Sequence, residues 1–198
     1  DGGRVGAVDG AGLVGGLLDG FDQPHQAVGL FAHEDAGVDV DANARWVERI
    51  RHAMHSTYGP RVISRHNAFA GLFRLDYDEE LFRRNYRNPV LVACADGVGS
   101  KVMLAVQMND LSTVGIDLVA MNVNDMITCG AEPLFFLDYL GVHGIEPESM
   151  AVLMEGIANG CRQANCALLG GETAEMPDLY GKGELDLAGF SVGVVELG

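Results

Sequence analysis

Several patterns that would indicate particular functions are missing from this 198-residue sequence. No apolar run reaches the roughly 20 residues that a transmembrane helix needs, and the start lacks the charged segment that opens a signal peptide. The six histidines have no H-x-x-x-H spacing, so a zinc site of that kind is not indicated. A G-x-S-x-G nucleophile elbow is missing as well. These absences favour a cytoplasmic protein that is neither a zinc enzyme nor a serine hydrolase.

Basic residues are also few, with 13 lysines and arginines against 28 acids and a net charge of −15. This balance argues against a nucleic-acid backbone or an anionic membrane as a partner. It leaves nucleotide binding open, because a metal ion and backbone N–H groups can hold phosphates without a basic surface. The four cysteines have no C-x-x-C spacing, and we expect them to be reduced and mostly buried.

The amino-terminal segment differs from the rest of the chain. Residues 1–30 contain nine glycines, including a formal G-x-G-x-x-G match at Gly10–Gly15. We interpret this match as chance, because the sequence after Asp35 continues as a helix start and not as the rest of a βαβ unit. Residues 1–33 are therefore predicted to be a Gly-rich, poorly ordered extension, and residues 34–198 to form one domain.

From residue 40 onwards, apolar periodicity and turn residues alternate regularly. Helices are predicted at 41–58, 100–108, 115–129 and 147–165. Strands are predicted at 89–95, 134–140, 166–171 and 186–195, with a short strand region within 61–75. Because helices and strands are mixed along the chain, the fold class is α/β or α+β.

The first cluster with chemical potential is Asp96-Gly-Val-Gly-Ser-Lys101, at the predicted junction of a strand and a helix. Glycines let backbone N–H groups approach an anion closely, and a helix amino terminus favours negative charge. The G-x-x-x-x-G-K spacing of a Walker P-loop is absent. The cluster fits either a phosphate-binding turn or an ordinary turn in which Ser100 caps the helix.

The second cluster is Asn122-Val-Asn-Asp125, within a predicted helix that is apolar on most sides. Asp117 and Asn124 are seven residues apart and so share a helix face, with Asp125 adjacent. A largely apolar helix is expected to be buried, and buried acids need a partner or a metal ion. The alternative is that these polar residues lie at an exposed helix edge.

The third cluster is Gly170-Gly-Glu-Thr-Ala-Glu-Met-Pro177, after a predicted buried strand. We predict a turn here, either a plain one or one in which two glycines allow close approach of a ligand. Taken with the other clusters, Asp96, Asp125 and Glu172 are candidate oxygen ligands. Hard oxygen ligands beside glycine loops suit Mg²⁺ that bridges nucleotide phosphates.

These clusters, in this order and spacing, closely resemble the aminoimidazole ribonucleotide synthetase family, also called phosphoribosylformylglycinamidine cyclo-ligases. The resemblance extends from about residue 34 to residue 196. The blocks that carry it are 34–39, 96–101, 115–121, 124–125, 130–139, 170–177 and 188–190. It implies an amino-terminal ATP-binding domain of α+β class, with a mixed sheet, flanking helices and a dimer formed through the sheet.

The resemblance also implies a reaction and a set of site residues. The family uses ATP and Mg²⁺ to close the ring of formylglycinamidine ribonucleotide, giving aminoimidazole ribonucleotide in purine (IMP) biosynthesis. By this resemblance Asp96, Lys101 and Asp125 are catalytic, and Asp96, Asp125 and Glu172 are metal ligands. The implied nucleotide contacts are Asp96, Gly97, Gly99, Ser100, Lys101, Asn124, Asp125, Gly170, Gly171, Glu172 and Thr173.

Departures from the family pattern leave alternatives open. Glu34 stands where the family usually has lysine, which we expect to weaken ATP binding, and Asn67-Ala68 replaces a glycine pair. The family continues into a second domain, so we expect this chain to be an amino-terminal half. It could then be a non-catalytic dimerisation fragment. It could also be a related ATP-using enzyme of the same scaffold, such as formylglycinamidine synthetase, selenophosphate synthetase, thiamine-phosphate kinase or the hydrogenase-maturation type.

Overall fold

A computed structural model describes residues 40–64, 71–75 and 86–197. They belong to His33–Gly198, the larger of two units into which the chain divides. The expected extension, Glu34 and Asn67–Phe69 lie outside the described residues. The described elements are α1 (Val40–His55), β1 (Val62–Ile63), β2 (Leu72–Phe73), β3 (Pro89–Gly97), α2 (Lys101–Met108), α3 (Val114–Thr128), β4 (Glu132–Val142), α4 (Pro147–Ala164), β5 (Ala167–Glu175) and β6 (Leu185–Glu196).

Four strands form one mixed sheet in the order β3-β6-β4-β5. β6 runs antiparallel to β3 and to β4, whereas β4 and β5 are parallel. β3, β4 and β5 therefore share one direction, and their carboxyl ends point to the same end of the sheet. The register aligns Asp96, Gly189, Asp138 and Gly171 in one row across all four strands. β1 and β2 form a separate antiparallel pair.

One face of the sheet is covered by α3 and α4. Phe136 and Leu140 of β4 are fully buried, together with Leu118 of α3 and Ile157 of α4. Burial of each such side chain contributes about 1.5–3 kcal/mol relative to exposure. The covered face is therefore the main hydrophobic core of the described domain. Within the described ranges, none of the helices has the length and apolar character needed to cross a membrane.

Small residues allow close packing on this covered face. An ideal Cβ at Gly115 of α3 would lie 2.5 Å from the Leu153 carbonyl oxygen of α4, so α3 and α4 approach each other with their backbones. On β6 the covered face presents Gly189, Ser191 and Gly193 at alternate positions. A Cβ at Gly189 would overlap the Phe136 ring. These positions bring α3 close to β6.

The opposite face, which we call the open face, is apolar and largely exposed. Leu91 of β3 is 61% exposed and Phe190 of β6 is 46% exposed. The register places Ala95, Phe190 and Leu137 side by side. At one end of this face Phe73 packs against the Phe135 ring, with ring centroids 5.3 Å apart. The rest of the open face is an exposed apolar surface, which is typical of a binding surface.

The structure confirms the α+β class, the mixed sheet and the flanking helices, and each predicted long element is present within four residues of its expected ends. The third cluster is the exception. Gly170–Glu175 is not a turn but part of β5, paired with Leu137–Val142. The glycine at 171 explains this, because a Cβ there would overlap the Asp138 carboxyl group. Gly171 thus makes room for the Asp138 side chain within the sheet.

The cysteines agree in part with expectation. All four are free, and Cys161 and Cys166 are buried. Cys94 is only partly buried, however, and Cys129 is exposed. Cys129 follows the last turn of α3, at the surface, so the expectation of burial was wrong there.

Candidate functional site

The turn between β3 and α2 holds the first predicted cluster together. The Asp96 carboxylate accepts a hydrogen bond from the Gly97 amide at 2.7 Å. Gly99 adopts a φ of +71°, which favours glycine over other residues. Ser100 and Lys101 are exposed, and the Ser100 hydroxyl makes no capping hydrogen bond. The alternative in which Ser100 caps the helix is therefore wrong, and the hydroxyl is accessible to a ligand at the start of α2.

An ion pair that the sequence analysis did not anticipate fixes Lys101. Its Nζ lies 3.1 Å from an Asp117 carboxylate oxygen, and the two side chains are 52% and 37% exposed. Asp117 lies in the first turn of α3, where the helix dipole favours a negative charge. The amino ends of α2 and α3 are thereby linked. The only sequence signal for this pair was the acid at a helix start.

The second cluster divides between the interior and the surface of α3. Asn122 is fully buried, whereas Asn124 and Asp125 are exposed. The expectation of buried acids on this helix is thus wrong, and the exposed-edge alternative is correct. The reason is the helix rotation, because Leu118, Asn122 and Met126, spaced at four residues, face the sheet. Asp125 remains available to a ligand at the surface.

A buried acid in the sheet is the most perturbed carboxyl group in this region. Asp138 of β4 is only 6% exposed. Burial raises the pKa of its carboxyl group to about 7, while its backbone amide lowers it and the charge of Glu172 raises it further. Asp138 lies in one of the blocks that carry the family resemblance, and no role was predicted for it. Its raised pKa arises from structural burial, which the sequence pattern alone does not reveal.

The sheet separates two of the predicted metal ligands. Asp96 on β3 and Glu172 on β5 are three strand positions apart, which corresponds to about 14 Å at about 4.8 Å per strand. Glu172 is also paired with Tyr139, the residue after Asp138. Because Asp96 and Asp138 share a row and successive side chains alternate between faces, the Glu172 side chain projects from the face opposite to that of Asp96. In the described ranges, no group of three or more His, Cys, Asp or Glu side chains is arranged to hold a metal ion. The expected convergence of Asp96, Asp125 and Glu172 within one chain is not seen there.

A cavity of about 340 Å³ opens at the carboxyl ends of β4 and β5. His143 at its wall contacts the Tyr180 carbonyl oxygen through Nδ1 at 2.8 Å. Glu175 accepts the Ile145 N–H at 3.0 Å. Lys182 also lines the cavity. Of the three predicted clusters, only the third reaches this cavity, through Glu175. None of the predicted nucleotide or metal contacts lies in its wall.

Comparison with known proteins places these features in a family. The domain described as "AIR synthase related protein, N-terminal domain" matches residues 81–195. This chain belongs to the AIR synthase-related family. A curated phosphoribosylformylglycinamidine cyclo-ligase from Magnetococcus marinus is 54% identical over 164 residues, which cover 83% of this chain and 45% of the relative. One from Geobacter sulfurreducens is 53% identical over 166 residues, or 84% and 46%. The chain thus spans just under half the length of these relatives.

Solved structures support the fold of this AIR synthase-related chain. Thiamine-monophosphate kinase from Stenotrophomonas maltophilia is similar with a TM-score of 0.53 at 21% identity, covering 80% of this chain and 43% of that one. The hydrogenase maturation protein HypE in complex with ATP has a TM-score of 0.52 at 14% identity, covering 79% and 41%. At these identities the likeness shows a shared fold. The resemblance deduced from the sequence blocks is confirmed by the family match.

Proposed function

We propose that this chain provides the amino-terminal, nucleotide-binding part of a phosphoribosylformylglycinamidine cyclo-ligase. The reaction is the ATP-dependent ring closure of formylglycinamidine ribonucleotide to aminoimidazole ribonucleotide. The observation that carries the proposal is the turn from Asp96 to Lys101, in a chain 54% identical to a curated enzyme of that name. ATP phosphorylates the amide oxygen of the substrate, an internal nitrogen attacks that carbon, and phosphate leaves.

The β3–α2 turn has the features that phosphate binding requires. Gly99 exposes its backbone in a conformation with positive φ, and α2 starts at the next residue but one. Two first-turn amides of α2 already donate within the turn, at 3.1 and 3.2 Å, so the helix contributes mainly the partial positive charge of its amino end. Ser100 and Lys101 add an exposed hydroxyl and an exposed ammonium group. We assign Gly97, Gly99, Ser100 and Lys101 to the phosphates of ATP.

The donor set around this turn also fits Mg²⁺. Asp96 commits one carboxylate oxygen to the Gly97 amide, and Asp125 is exposed on α3, one turn beyond the residue that contacts the Asp96 backbone. Oxygen donors of this kind, together with phosphate oxygens, are the usual ligands of Mg²⁺. Bound there, Mg²⁺ would neutralise phosphate charge. We therefore assign Asp96 and Asp125 to the ion, with Asn124 beside them.

The β5 residues form a second group of proposed contacts. Gly170, Gly171, Glu172 and Thr173 lie on the strand farthest from β3. Glu172 and Gly171 are exposed. Because of the strand separation, we assign these residues to the nucleotide or the substrate and not to the ion held by Asp96.

A homodimer formed through the open face accompanies this function. Leu91 and Phe190 are 61% and 46% exposed, and each has an apolar residue opposite it on the neighbouring strand. Isolated sheets rarely leave a broad apolar face in water. A second copy of the chain offers the same apolar face, and pairing two of them buries both, as an isologous interface requires.

Calorimetry of Mg·ATP binding tests the assignment. We expect Asp96→Asn and Asp125→Asn each to weaken binding by roughly tenfold or more, because each removes a charged ligand. Asp178→Asn is the matched control, since Asp178 is an exposed acid outside the turn. Unchanged affinity in both site variants would remove Asp96 and Asp125 from the proposed site.

A second candidate is a dimerisation module without turnover of its own. It is favoured by the open face, because an apolar surface with Leu91 61% exposed supports association without any chemistry at the turn. The two candidates separate in an assay of ring closure with formylglycinamidine ribonucleotide and Mg·ATP. Product formation by the chain alone supports independent catalysis. Dimerisation and ATP binding without product support the module.

A further inference from the structure

Asn122 is an interior residue of α3 whose side chain bonds to two elements at once. Its Nδ2 donates to the Leu118 carbonyl within α3 at 3.0 Å and to the Asp96 carbonyl of β3 at 3.3 Å. The residue is fully buried. The second bond connects α3 to the residue of β3 that opens the phosphate-binding turn.

The same amide has a feature that stability does not explain. Its Oδ1 is buried and has no hydrogen-bond partner in the part of the chain that the structure describes. A buried acceptor without a donor lowers stability, so an apolar side chain of similar size would suit this position in a core. The only contact that an apolar residue could not replace is the pair of bonds from Nδ2.

The surroundings are shaped to admit this amide. An ideal Cβ at Gly189 of β6 would lie 2.5 Å from Asn122 Nδ2, so the absence of a side chain there leaves the room. The Cys94 thiol donates to the Asn122 backbone carbonyl at 3.1 Å and lies 3.0 Å from the Ser191 hydroxyl. Polar groups from β3, β6 and α3 therefore meet directly beneath Asp96.

We propose that Asn122 is a positioning residue that holds the carboxyl end of β3 against α3 and so sets Asp96 relative to Asp125. Asn122 touches neither the nucleotide nor the ion, and it acts through the Asp96 main chain. Asp125 follows Asn122 on the same helix and lies on its exposed side. One rigid helix therefore carries both the side chain that holds β3 and the second acid. The inference rests on the proposed function, because it concerns the geometry of the proposed Mg²⁺ ligands.

The decisive variant is Asn122→Ser. A serine hydroxyl can still donate to the Leu118 carbonyl within the helix, but it is too short to reach Asp96. We expect about tenfold weaker Mg·ATP binding by calorimetry. Hydrogen exchange at the Gly97 amide, which donates to the Asp96 carboxylate, should accelerate by a similar factor, since the turn loses its attachment. All of these measurements use the 198-residue chain.

Val119→Ala is the matched control. Val119 is also buried on α3, at 1% exposure, but it makes no bond to β3. We expect Val119→Ala to lower the resistance to denaturant at least as much as Asn122→Ser. It should leave Mg·ATP affinity and Gly97 exchange within twofold of the parent. A purely structural role for Asn122 would instead make the two variants indistinguishable.

The outcomes separate this inference from the proposed function. If the parent binds Mg·ATP and Asn122→Ser binds it equally well with unchanged exchange, the positioning role is overturned. If the parent itself binds no Mg·ATP, the proposed function fails. Exchange at the Gly97 amide then still decides whether Asn122 holds the turn: local acceleration in Asn122→Ser supports the positioning role, and its absence overturns it.

Discussion

The two faces of the four-stranded sheet are both apolar, but only one is satisfied within the chain. On the covered face, Phe136 and Leu140 have no measurable exposure beneath α3 and α4. On the open face, Leu91 and Phe190 remain 61% and 46% exposed. The covered face is the core of the domain, whereas the open face is the surface to which we assign the proposed association. A substitution on each face should therefore change a different measured quantity.

Gly115→Ala is expected to have the largest effect, because it attacks the packing of the covered face. The new Cβ would lie 2.5 Å from both the Ile157 nitrogen and the Leu153 oxygen, which are backbone atoms that cannot rotate away. Forcing α3 and α4 apart should lower the free energy of unfolding by roughly 4 kcal/mol or more. Denaturant unfolding followed by circular dichroism measures this.

Gly59→Ala provides the control for that substitution. An added Cβ at Gly59 meets nothing within 4 Å, and its φ is not in the left-handed region. The free energy of unfolding should change by less than about 1 kcal/mol, and it can rise because the unfolded chain loses freedom. Equal losses in both glycine variants would contradict the proposed close approach of α3 and α4.

Asp138 makes the stability of the covered face depend on pH. The carboxyl has an ordinary pKa of 3.8, whereas burial holds the folded-state pKa at about 7. Between these values the folded state binds one more proton than the unfolded state, so the free energy of unfolding falls as pH rises from about 4 to about 7. The loss is at most about 4 kcal/mol. Asp138→Asn should flatten this dependence, and denaturant midpoints from pH 5 to pH 8 measure it.

The control for this pH dependence is Asp178→Asn, which changes an exposed acid. Between pH 5 and pH 8, the denaturant midpoint of this variant should depend on pH as steeply as that of the parent. A slope that survives unchanged in Asp138→Asn would show that another group is responsible.

Sequence patterns predicted the helices and strands of the covered face, because apolar periodicity is a local property. They did not identify which side of α3 is buried, since Leu118, Asn122 and Met126 face the sheet, whereas acids had been expected there. The part of β5 from Glu172 to Glu175 was missed because its determinant is not local. Two glycines suggest a turn, and only the register with β4 reveals that one of them accommodates Asp138.

The site shows the same limit. The turn from Asp96 to Lys101 was predictable, because consecutive residues build it. The separation of Asp96 from Glu172 depends on the strand order β3-β6-β4-β5, in which β6, the last of these strands in the sequence, lies between β3 and β4. The ion pair of Lys101 with Asp117 and the clamp of Asn122 on Asp96 likewise join elements that only the tertiary fold brings together.

Leu91→Ser tests the open face and should affect association more than folding. The side chain is 61% exposed in the single chain, so the free energy of unfolding of the monomer should change by less than about 0.5 kcal/mol. If the face pairs with a second copy, the dimer loses apolar burial from both subunits, and its dissociation constant should rise by roughly tenfold or more. Sedimentation equilibrium at micromolar concentration measures this constant.

Val152→Ser is the matched control for the open face, since Val152 is 46% exposed on α4, on the helix layer. It should leave the association constant unchanged. A parent chain that sediments as a monomer across the micromolar range would contradict association through the open face.

Asp117→Asn should have the smallest effect on stability, because the affected ion pair belongs to the rim of the helix layer. The Lys101 and Asp117 side chains are 52% and 37% exposed, and exposed ion pairs contribute about 0–1 kcal/mol. The free energy of unfolding should therefore fall by less than about 1 kcal/mol, and the difference should shrink in high salt. Mg·ATP affinity should move the other way, tightening by about two- to fivefold at low salt, since Lys101 no longer shares its charge with a carboxylate. In a Lys101→Met background the same Asp117→Asn change should leave that affinity unaltered. Weaker binding in Asp117→Asn would instead mean that the pair holds Lys101 in its binding position.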